Sequence, residues 1–219
     1  MGKLFFSDGR ELALNSIFCI GRNYAEHIEE LGNERPDAPV VFDKPAAALL
    51  HDGGTITLPK GSEDVHYETE VVVALASGGR DLSQEEARQA IAGYAVGLDL
   101  TARDWQSVAK AKGLPWTLCK GFDGAACVST FLPVDECPEP QALSFSMWQN
   151  GELRQQGETK MMLFPIAELI AYISEYCTLS AGDIIYTGTP VGVGPLAAGD
   201  HLRLNLLDKI SATFEVSAS

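Results

Sequence analysis

Short apolar runs separated by glycine, proline and polar residues dominate the chain, and they predict a protein built mainly of β-strands. Runs without polar alternation are typical of strands that are buried on both faces. The predicted strands cover residues 17–21, 40–42, 68–75, 94–100, 126–132, 143–149, 183–187, 201–206 and 212–216. A short edge strand or hairpin is expected within residues 1–14, whereas residues 51–59 are expected to be irregular.

Helical signals are fewer than strand signals. Ser83-Gln84-Glu85-Glu86 is a capping box, which predicts a helix up to about residue 92. Further helices are expected over residues 23–32, 105–112 and 165–176. Asn150-Gly151 is typical of a type I′ turn between two antiparallel strands. Because strands dominate and the helices are interspersed irregularly, we expect a β-rich mixed α+β fold rather than a βαβ array.

The size and charge of the chain limit its partners. Its 219 residues carry a net charge of −14, which argues against nucleic acid or an anionic membrane surface as a partner. No apolar run approaches the roughly 20 residues of a membrane span, and the first residues lack the apolar core of a signal peptide. The five cysteines form no C-x-x-C pair, so reduced thiols in a cytoplasmic protein are expected. One domain is expected over residues 1–219, with residues 1–15 as a short N-terminal edge segment.

Three carboxylates are the strongest candidates for chemistry. Glu68 and Glu70 open one apolar run, and Asp99 lies inside another. Buried carboxylates are costly unless a cation compensates them, and three of them converging from two strands would suit a hard divalent metal such as Mg²⁺. The alternative is that Glu-x-Glu merely follows the solvent-facing alternation of a half-exposed strand. The spacing alone does not separate the two interpretations.

His27 and Glu30 are three residues apart on the predicted helix 23–32, so they would lie on the same face. A carboxylate beside an imidazole orients the ring and raises its basicity, which is the arrangement of a general base that activates water. The spacing by itself favours the alternative, an exposed acidic helix face formed by Glu26, Glu29 and Glu30, on which His27 has no chemical role.

Other candidate residues would bind an anion. Gly188-Thr189-Pro190 opens a glycine-dense loop whose backbone N–H groups and hydroxyl could face a small anion, although a tight turn explains the same residues. Four basic residues, namely Arg22, Lys44, Arg103 and Lys120, lie near turns or strand ends and could line an anionic-substrate pocket. Each of them is also compatible with an ordinary surface position.

These pieces occur together in a longer pattern. In chain order its motifs are Gly21-Arg22-Asn23-Tyr24-x-x-His27-x-x-Glu30, Phe42-x-Lys44-Pro45, His66-x-Glu68-x-Glu70, Gly93-Tyr94 to Asp99-x-Thr101-x-Arg103-Asp104-x-Gln106, Gly113-x-Pro115-Trp116-x-x-x-Lys120, Asn150-Gly151-Glu152 and Gly182-Asp183-Ile184-Ile185-x-Thr187-Gly188-Thr189-Pro190-x-Gly192-Val193-Gly194. Over residues 16–216 the chain resembles the fumarylacetoacetate hydrolase family, specifically its short members that act on acylpyruvates. The resemblance implies a mixed β-sandwich or roll of the C-terminal-domain type of that family, with a few peripheral helices.

The resemblance also implies roles for individual residues. Metal ligands for Mg²⁺ or Mn²⁺ would be Glu68, Glu70 and Asp99. Catalytic residues would be His27, Glu30 and Lys120, and the substrate would be held by Arg22, Arg103, Gln106, Gly188 and Thr189. Tyr67 stands where relatives often have a second histidine, so the surroundings of the metal ligands depart from the family pattern. Related enzymes are typically homodimers, and the same is expected here.

The reaction implied by the resemblance is metal-assisted hydrolysis of acylpyruvate-type 2,4-dioxo acids, such as fumarylpyruvate, to pyruvate and a carboxylic acid. Decarboxylation of oxaloacetate, or isomerisation of a substrate of the 2-hydroxyhepta-2,4-diene-1,7-dioate type, would use the same enolate chemistry and is the alternative. Two further alternatives are a non-catalytic module that binds anionic metabolites and a purely structural β-domain.

Overall fold

In the computed structural model, which describes residues 2–25, 35–137 and 139–218, two facing β-sheets contain most of the strands. The strands are β1 Lys3–Phe5, β2 Glu11–Ala13, β3 Ile17–Gly21, β4 Val40–Lys44, β5 Leu49–His51, β6 Thr55–Thr57, β7 Val65–Tyr67, β8 Thr69–Leu75, β9 Ile91–Asp99, β10 Thr101–Ala102, β11 Ala126–Val128, β12 Leu132–Pro133, β13 Ser144–Gln149, β14 Glu152–Glu158, β15 Ile184–Tyr186, β16 Gly194–Pro195, β17 His201–Leu206 and β18 Ile210–Ser217. The described α-helices are α1 Gln84–Gln89, α2 Arg103–Lys112, α3 Thr117–Lys120 and α4 Ile166–Tyr176.

The larger sheet has eight strands in the order β4-β3-β15-β8-β9-β11-β5, with β12 beside β9. The second sheet has five strands in the order β14-β13-β17-β18-β6. Strands β13, β17 and β18 contact β8 and β9, so the second sheet covers the centre of the first. Because β3 runs parallel to β15 while β8 runs antiparallel to β9, the larger sheet is mixed. This architecture confirms the predicted β-rich α+β class with a sandwich-like arrangement.

Strands β8 and β9 form the centre of the core. Every residue of Thr69–Leu75 and of Ile91–Asp99 is buried, which explains why neither segment alternates between apolar and polar residues. Glu70 and Asp99 are therefore held on strands with no solvent-facing side. Their burial excludes the solvent-facing alternation that the spacing of Glu68 and Glu70 had left open.

Local signals in the sequence predicted several elements correctly. Ser83 accepts a hydrogen bond from the backbone of Glu86, whose side chain caps Ser83 in return, and helix α1 follows. Asn150 and Gly151 have φ angles of 55° and 83° and join β13 to β14, as a type I′ turn requires. The predicted helix over residues 165–176 is confirmed as α4.

Other predictions were wrong or lie outside the described residues. The segment 51–59, predicted to be irregular, contains β6 and the end of β5. Both are three-residue strands that pair in parallel with distant β11 and β18, and such short strands carry too little periodicity to be recognised. The predicted strand over residues 126–132 is interrupted between β11 and β12. The predicted helix over residues 23–32 lies mostly outside the described residues.

Within the described part of the chain, no helix combines the length and apolarity needed to cross a membrane. The single domain expected over residues 1–219 stays a prediction.

Candidate active site

Three carboxylates converge where β8 begins and β9 ends. Glu68 lies in the junction between β7 and β8, Glu70 lies in β8, and Asp99 is the last residue of β9. Antiparallel pairing of Glu70 with Gly97 sets these strand ends side by side. One carboxylate oxygen from each residue lies within 4.8 Å of the others, and all three residues are buried. The register of the central sheet therefore creates an acidic cluster that the linear sequence separates by about thirty residues.

Cations from other elements surround two of these carboxylates. Lys120, at the end of α3, donates hydrogen bonds to Glu68 Oε2 at 2.7 Å and to Asp99 Oδ2 at 2.8 Å. Lys44 Nζ lies 2.7 Å from Asp99 Oδ1, and Arg103 Nη2 donates to Glu68 Oε1. Glu68 and Asp99 are thus each paired with at least two basic side chains.

Glu70 differs from Glu68 and Asp99 in its partners. Among the described residues it forms no ion pair, and the hydrogen bond it accepts comes from the backbone N–H of Gly188, at 2.6 Å from Oε2. Burial, together with the neighbouring carboxylates of Asp99 and Glu68, raises the pKa of Glu70 well above its ordinary value. The cluster consequently lacks positive charge at Glu70.

A divalent cation could supply the positive charge that is missing at Glu70. The donor set consists of three carboxylates, which hard cations such as Mg²⁺ and Mn²⁺ prefer. A cation bound between them would compensate the one carboxylate that has no basic partner within the described chain. Glu68, Glu70 and Asp99 are therefore the residues that could hold the metal.

Lys120 is charged despite being buried. Burial by itself lowers the pKa of a lysine, but the carboxylates of Asp99 and Glu68 outweigh it and raise the pKa of Lys120 above its ordinary value. An ammonium group has three N–H donors, and two of them are used by the acidic cluster. The third N–H has no oxygen acceptor among the described residues. The ammonium also lies 4.8 Å from the centroid of the Phe42 ring, which lines the same cavity, so a ligand oxygen would compete only with this weaker cation–π contact.

Gln106 offers a second donor to the same cavity. Its Oε1 accepts a hydrogen bond from Arg103 Nη1 at 3.0 Å. Since that contact uses the oxygen of the amide, the NH₂ group is left to donate to a ligand. Arg103 therefore contacts both Glu68, a carboxylate of the acidic cluster, and Gln106.

The glycine-dense loop after β15 closes the site. Gly188 has a φ of 102°, and a Cβ atom at this position would lie 2.6 Å from Cβ of Asn23. Only glycine fits both the left-handed backbone and this close approach. As a result the Gly188 N–H reaches Glu70, and Thr189, the next residue, lines the cavity.

The cavity between these groups measures about 50 Å³. Eight residues that the sequence singled out line it, namely Arg22, Glu68, Glu70, Asp99, Arg103, Gln106, Lys120 and Thr189. Gly188, predicted to bind the substrate, is not among the lining residues; its backbone N–H donates to Glu70 instead. His27 and Glu30 lie outside the described residues, so their proposed role in water activation stays a prediction.

Sequence reasoning missed residues that act on the site through hydrogen bonds. Buried Asn23 donates to Thr187 O at 2.8 Å and accepts from Phe164 N at 2.8 Å, which fixes the chain beside the Gly188 loop. Its neighbour Arg22 has a left-handed φ of 61°, a backbone conformation that costs a non-glycine residue about 1–2 kcal/mol. Gln155 and Lys110 were also missed. The motif Gly21-Arg22-Asn23-Tyr24 was a weak signal for Asn23, whereas no local signal indicated Gln155 or Lys110.

A family model and several known proteins match this chain over most of its length. The family model "Fumarylacetoacetate (FAA) hydrolase C-terminal" matches residues 16–216. The chain belongs to the fumarylacetoacetate hydrolase family. It is 43% identical over 201 residues to the oxaloacetate tautomerase FAHD1, mitochondrial, of Bos taurus, covering 92% of this chain and 91% of the relative. It is 41% identical over 203 residues to the mitochondrial oxaloacetate decarboxylase of Dictyostelium discoideum, covering 92% and 91%.

A solved structure of the family is also similar. Fumarylpyruvate hydrolase from Pseudomonas aeruginosa, in complex with Mn²⁺ and pyruvate, matches with a TM-score of 0.95 and 31% identity, covering all of this chain and 96% of that one. These family members are enzymes, and the present chain is an enzyme of the same family. The prediction of the family and its fold from the sequence motifs is confirmed.

Proposed function

We propose that this protein is a divalent-cation-dependent oxaloacetate tautomerase, which interconverts the keto and enol forms of a 2-oxo acid. The observation that carries the proposal is Lys120, a buried ammonium that is bonded to two of the three carboxylates and keeps one N–H for a ligand. Support for oxaloacetate comes from relatives at 41–43% identity that are named oxaloacetate tautomerase and oxaloacetate decarboxylase.

Tautomerisation of oxaloacetate breaks a C3–H bond, forms the C2=C3 double bond and moves a proton to the oxygen on C2. A divalent cation held by Glu68, Glu70 and Asp99 would supply Lewis-acid polarisation of that oxygen. Negative charge develops on the same oxygen, and a preformed N–H donor stabilises it without reorganisation. The free N–H of Lys120 serves this purpose.

The remaining donors orient the substrate. The NH₂ group of Gln106 and the hydroxyl of Thr189 both line the cavity and can donate to carboxylate or carbonyl oxygens of a 2-oxo acid. Arg103 holds Gln106 in that orientation and neutralises Glu68 at the same time. Together these groups bind an anion in a protein whose net charge is −14.

Decarboxylation is the second candidate activity. Loss of CO₂ from C4 of oxaloacetate leaves its electron pair on C3, which gives the enolate of pyruvate and needs the same donor at the C2 oxygen. The relative named oxaloacetate decarboxylase favours this candidate. Hydrolysis of acylpyruvates, the reaction favoured by the sequence motifs, has weaker support because the two curated relatives described above, at 41–43% identity, carry oxaloacetate names. The hydrolase among the structural relatives, at 31% identity, keeps it in the test.

The test compares three reactions on one preparation of the protein with added Mg²⁺. Disappearance of enol-oxaloacetate is followed by its ultraviolet absorbance, pyruvate is measured by a coupled dehydrogenase, and fumarylpyruvate cleavage is measured directly. We expect tautomerisation to be the fastest. Hydrolysis of fumarylpyruvate that exceeds both oxaloacetate reactions would contradict the proposal.

Variants connect the activity to the site. Lys120→Met should abolish tautomerisation, whereas Lys112→Met, which removes an exposed lysine of α2, should leave it unchanged. His27→Ala should stop hydrolysis if that residue activates water, but it should spare decarboxylation. The homodimer, the cytoplasmic location and the choice between Mg²⁺ and Mn²⁺ stay predictions, and the two curated relatives described above are both named mitochondrial.

A further inference from the structure

Gln155 connects the metal-binding strand to the loop that closes the site. It lies on β14 of the five-stranded sheet, and only 1% of it is exposed. Its Oε1 accepts a hydrogen bond of 2.8 Å from the backbone N–H of Thr69, the residue between Glu68 and Glu70. Its Nε2 donates to Thr189 Oγ1 and to Pro190 O, both at 2.9 Å. One buried amide thus contacts both walls of the cavity.

The backbone contacts fix which way the amide points. The N–H of Thr69 can only donate, and the carbonyl oxygen of Pro190 can only accept. The amide oxygen must therefore face Thr69, and the NH₂ group must face the loop. Reversing the amide would set its NH₂ group against the N–H of Thr69 and its oxygen against Pro190 O. Each of these two buried backbone groups would then lack its hydrogen bond, at a cost of about 1–3 kcal/mol per group.

This orientation determines how the hydroxyl of Thr189 can act. Because Thr189 Oγ1 accepts a hydrogen bond from Gln155, its own proton points elsewhere. Within the described chain that proton has no acceptor, while Thr189 itself is 4% exposed and lines the cavity beside the three carboxylates. A hydroxyl constrained in this way donates to whatever oxygen enters the cavity.

Strand β14 delivers Gln155 to this position. Its residues alternate strictly from Arg154 to Glu158, so that Gln155 and Gly157 are buried whereas Gln156 is exposed. The two-residue turn Asn150-Gly151 joins β14 to β13, and a β-bulge between the pairs Trp148–Leu153 and Met147–Gln155 shifts the register by one residue, which places Gln155 opposite Met147. The second sheet therefore contributes to a site whose carboxylates lie in the larger sheet (Glu70 and Asp99) or directly before its strand β8 (Glu68).

We propose that Gln155 is a positioning residue, which holds the Thr189 hydroxyl as a hydrogen-bond donor to an anionic oxygen of the bound 2-oxo acid. The inference deepens the proposed function and rests on it, since it assumes an anionic ligand in this cavity. Gln155 itself touches no ligand. It acts through Thr189 and through the backbone that carries Glu68 and Glu70.

Gln155→Glu is the sharpest test. The introduced carboxylate has the size of the amide but no N–H group, so the Thr189 hydroxyl would turn its proton toward this carboxylate and away from the ligand. We expect the affinity for oxalate, an unreactive dianion, to fall about tenfold to a hundredfold, as for a lost hydrogen bond to a charged group. The affinity is measured by calorimetry in saturating Mg²⁺, and KM and kcat for oxaloacetate are measured on the same samples.

A double-mutant cycle separates positioning from a general structural effect. Thr189→Val removes the hydroxyl and should weaken oxalate binding by a similar factor. Added to Thr189→Val, the change Gln155→Glu should weaken binding little further, because the donor it misdirects is already absent. Thr189→Ser keeps the hydroxyl and should retain binding.

Controls address charge and folding. Gln156→Glu adds the same charge to the next residue of β14, on its exposed side, and should bind oxalate as the wild type does. If Gln155→Glu does not fold, Gln155→Met removes the same N–H donors without adding charge and enters the cycle instead.

The possible results distinguish the inference from the proposed function. Independent, additive losses in the cycle, or unchanged oxalate binding in Gln155→Glu, would overturn the role of Gln155. A wild-type protein that fails to bind oxalate in the presence of Mg²⁺ would overturn the proposed function and this inference with it. If the losses of oxalate affinity in the cycle are non-additive as expected, but the wild type does not turn over oxaloacetate, only the proposed function is overturned.

Discussion

The carboxylates and the cations of the site are held by different kinds of structure. Glu70 and Asp99 project from central strands that are buried along their whole length, so hydrogen bonds of the sheet fix their backbone. The basic side chains that line the cavity come from α2 and α3, which carry Arg103, Lys110 and Lys120, and from Arg22, directly after β3. We refer to Glu68, Glu70 and Asp99 as the acidic floor, and to Arg22, Arg103, Lys110 and Lys120 as the basic wall.

The acidic floor and the basic wall have different expected roles. In the proposed function, the acidic floor would determine whether a hard cation binds, because such cations are selective for ligand number and charge. The basic wall is built from long charged side chains on α2, on α3 and after β3, and in the proposed function it would determine which anion binds. Four basic residues line the cavity against three acidic ones, so a divalent cation would leave an excess of positive charge for an anionic substrate.

Removing a charge from the floor should have the largest effect. Glu70→Gln keeps the size of the side chain but removes the carboxylate that has no ion pair within the described chain. We expect Mg²⁺ affinity, measured by calorimetry, to fall more than about a hundredfold, beyond the effect typical of residues that only support metal ligands. The metal-free protein should become more stable at neutral pH, since folding no longer has to hold the proton of a buried carboxyl whose pKa is raised.

Glu63→Gln is the matched control for that variant, because Glu63 is an exposed carboxylate a few residues away. It should change neither metal affinity nor stability. Undiminished Mg²⁺ binding by Glu70→Gln would remove Glu70 from the ligand set.

Removing a charge from the wall should destabilise the metal-free protein. Lys120→Met leaves Glu68 and Asp99 without the ammonium that bridges them, and breaking a buried ion pair costs about 3–5 kcal/mol. Urea denaturation should report that loss, and Mg²⁺ should restore more stability to the variant than it adds to the wild type.

Lys3→Met provides the comparison for Lys120→Met. It breaks the exposed ion pair with Glu11, at 2.6 Å, and should cost less than about 1 kcal/mol. Equal losses in the two variants would mean that burial of the ammonium has no energetic consequence.

The pH dependence of the metal-free protein should reveal Glu70. Burial and the carboxylates of Asp99 and Glu68 raise its pKa above the ordinary value of 4.5, so the folded state keeps this proton when the unfolded chain has lost it. The unfolded chain then binds fewer protons, and the stability contributed by Glu70 falls as the pH rises from 4.5 through the raised pKa. Metal binding releases the same proton, so Mg²⁺ affinity should rise by up to about tenfold per pH unit in that range.

Denaturation curves between pH 5 and 8, with and without Mg²⁺, would check this prediction. The wild type without metal should lose stability across the range relative to Glu70→Gln. Parallel curves for the two proteins would show that Glu70 ionises as an exposed carboxylate does.

The smallest effect is expected for Lys110, the exposed member of the basic wall. Lys110 lines the cavity, lies 5.6 Å from the ring of Trp116 and has no ion pair among the described residues. Burial and the nearby charges of Arg103, Arg22 and Lys120 lower its pKa, and a second carboxylate on the substrate would compensate that repulsion. Lys110→Met should reduce the preference for 2-oxoglutarate over 2-oxopentanoate by about fivefold, the scale of a solvent-exposed ion pair.

The two acids of that test share a carbon chain and differ in one carboxylate, so competitive inhibition by each isolates the second charge. Lys112→Met, two residues further along α2, should leave the preference unchanged. An equal loss of affinity for both acids would instead assign Lys110 to the carboxylate that they share.

Much of the candidate site could be predicted because its signals are local or occur in fixed order. Glu68 and Glu70 stand two residues apart, Asp99 interrupts an apolar run, and Asn150-Gly151 fixes a hairpin by its own backbone preferences. The ordered motifs then indicated the family, which the comparison confirmed. By itself the sequence determined the fold class, the family and the identity of the acidic floor.

Only the tertiary structure decided how these groups are compensated and oriented. Lys44 meets Asp99, and Gln155 meets both Thr69 and Thr189, across separations of 55, 86 and 34 residues. No periodicity or turn rule encodes such pairs, because they arise when two sheets pack and bring distant strands together. The buried environment also decides that Glu70 has no ion-pair partner within the described chain while Lys120 bonds to two carboxylates, since both facts depend on every neighbour that packing brings into reach.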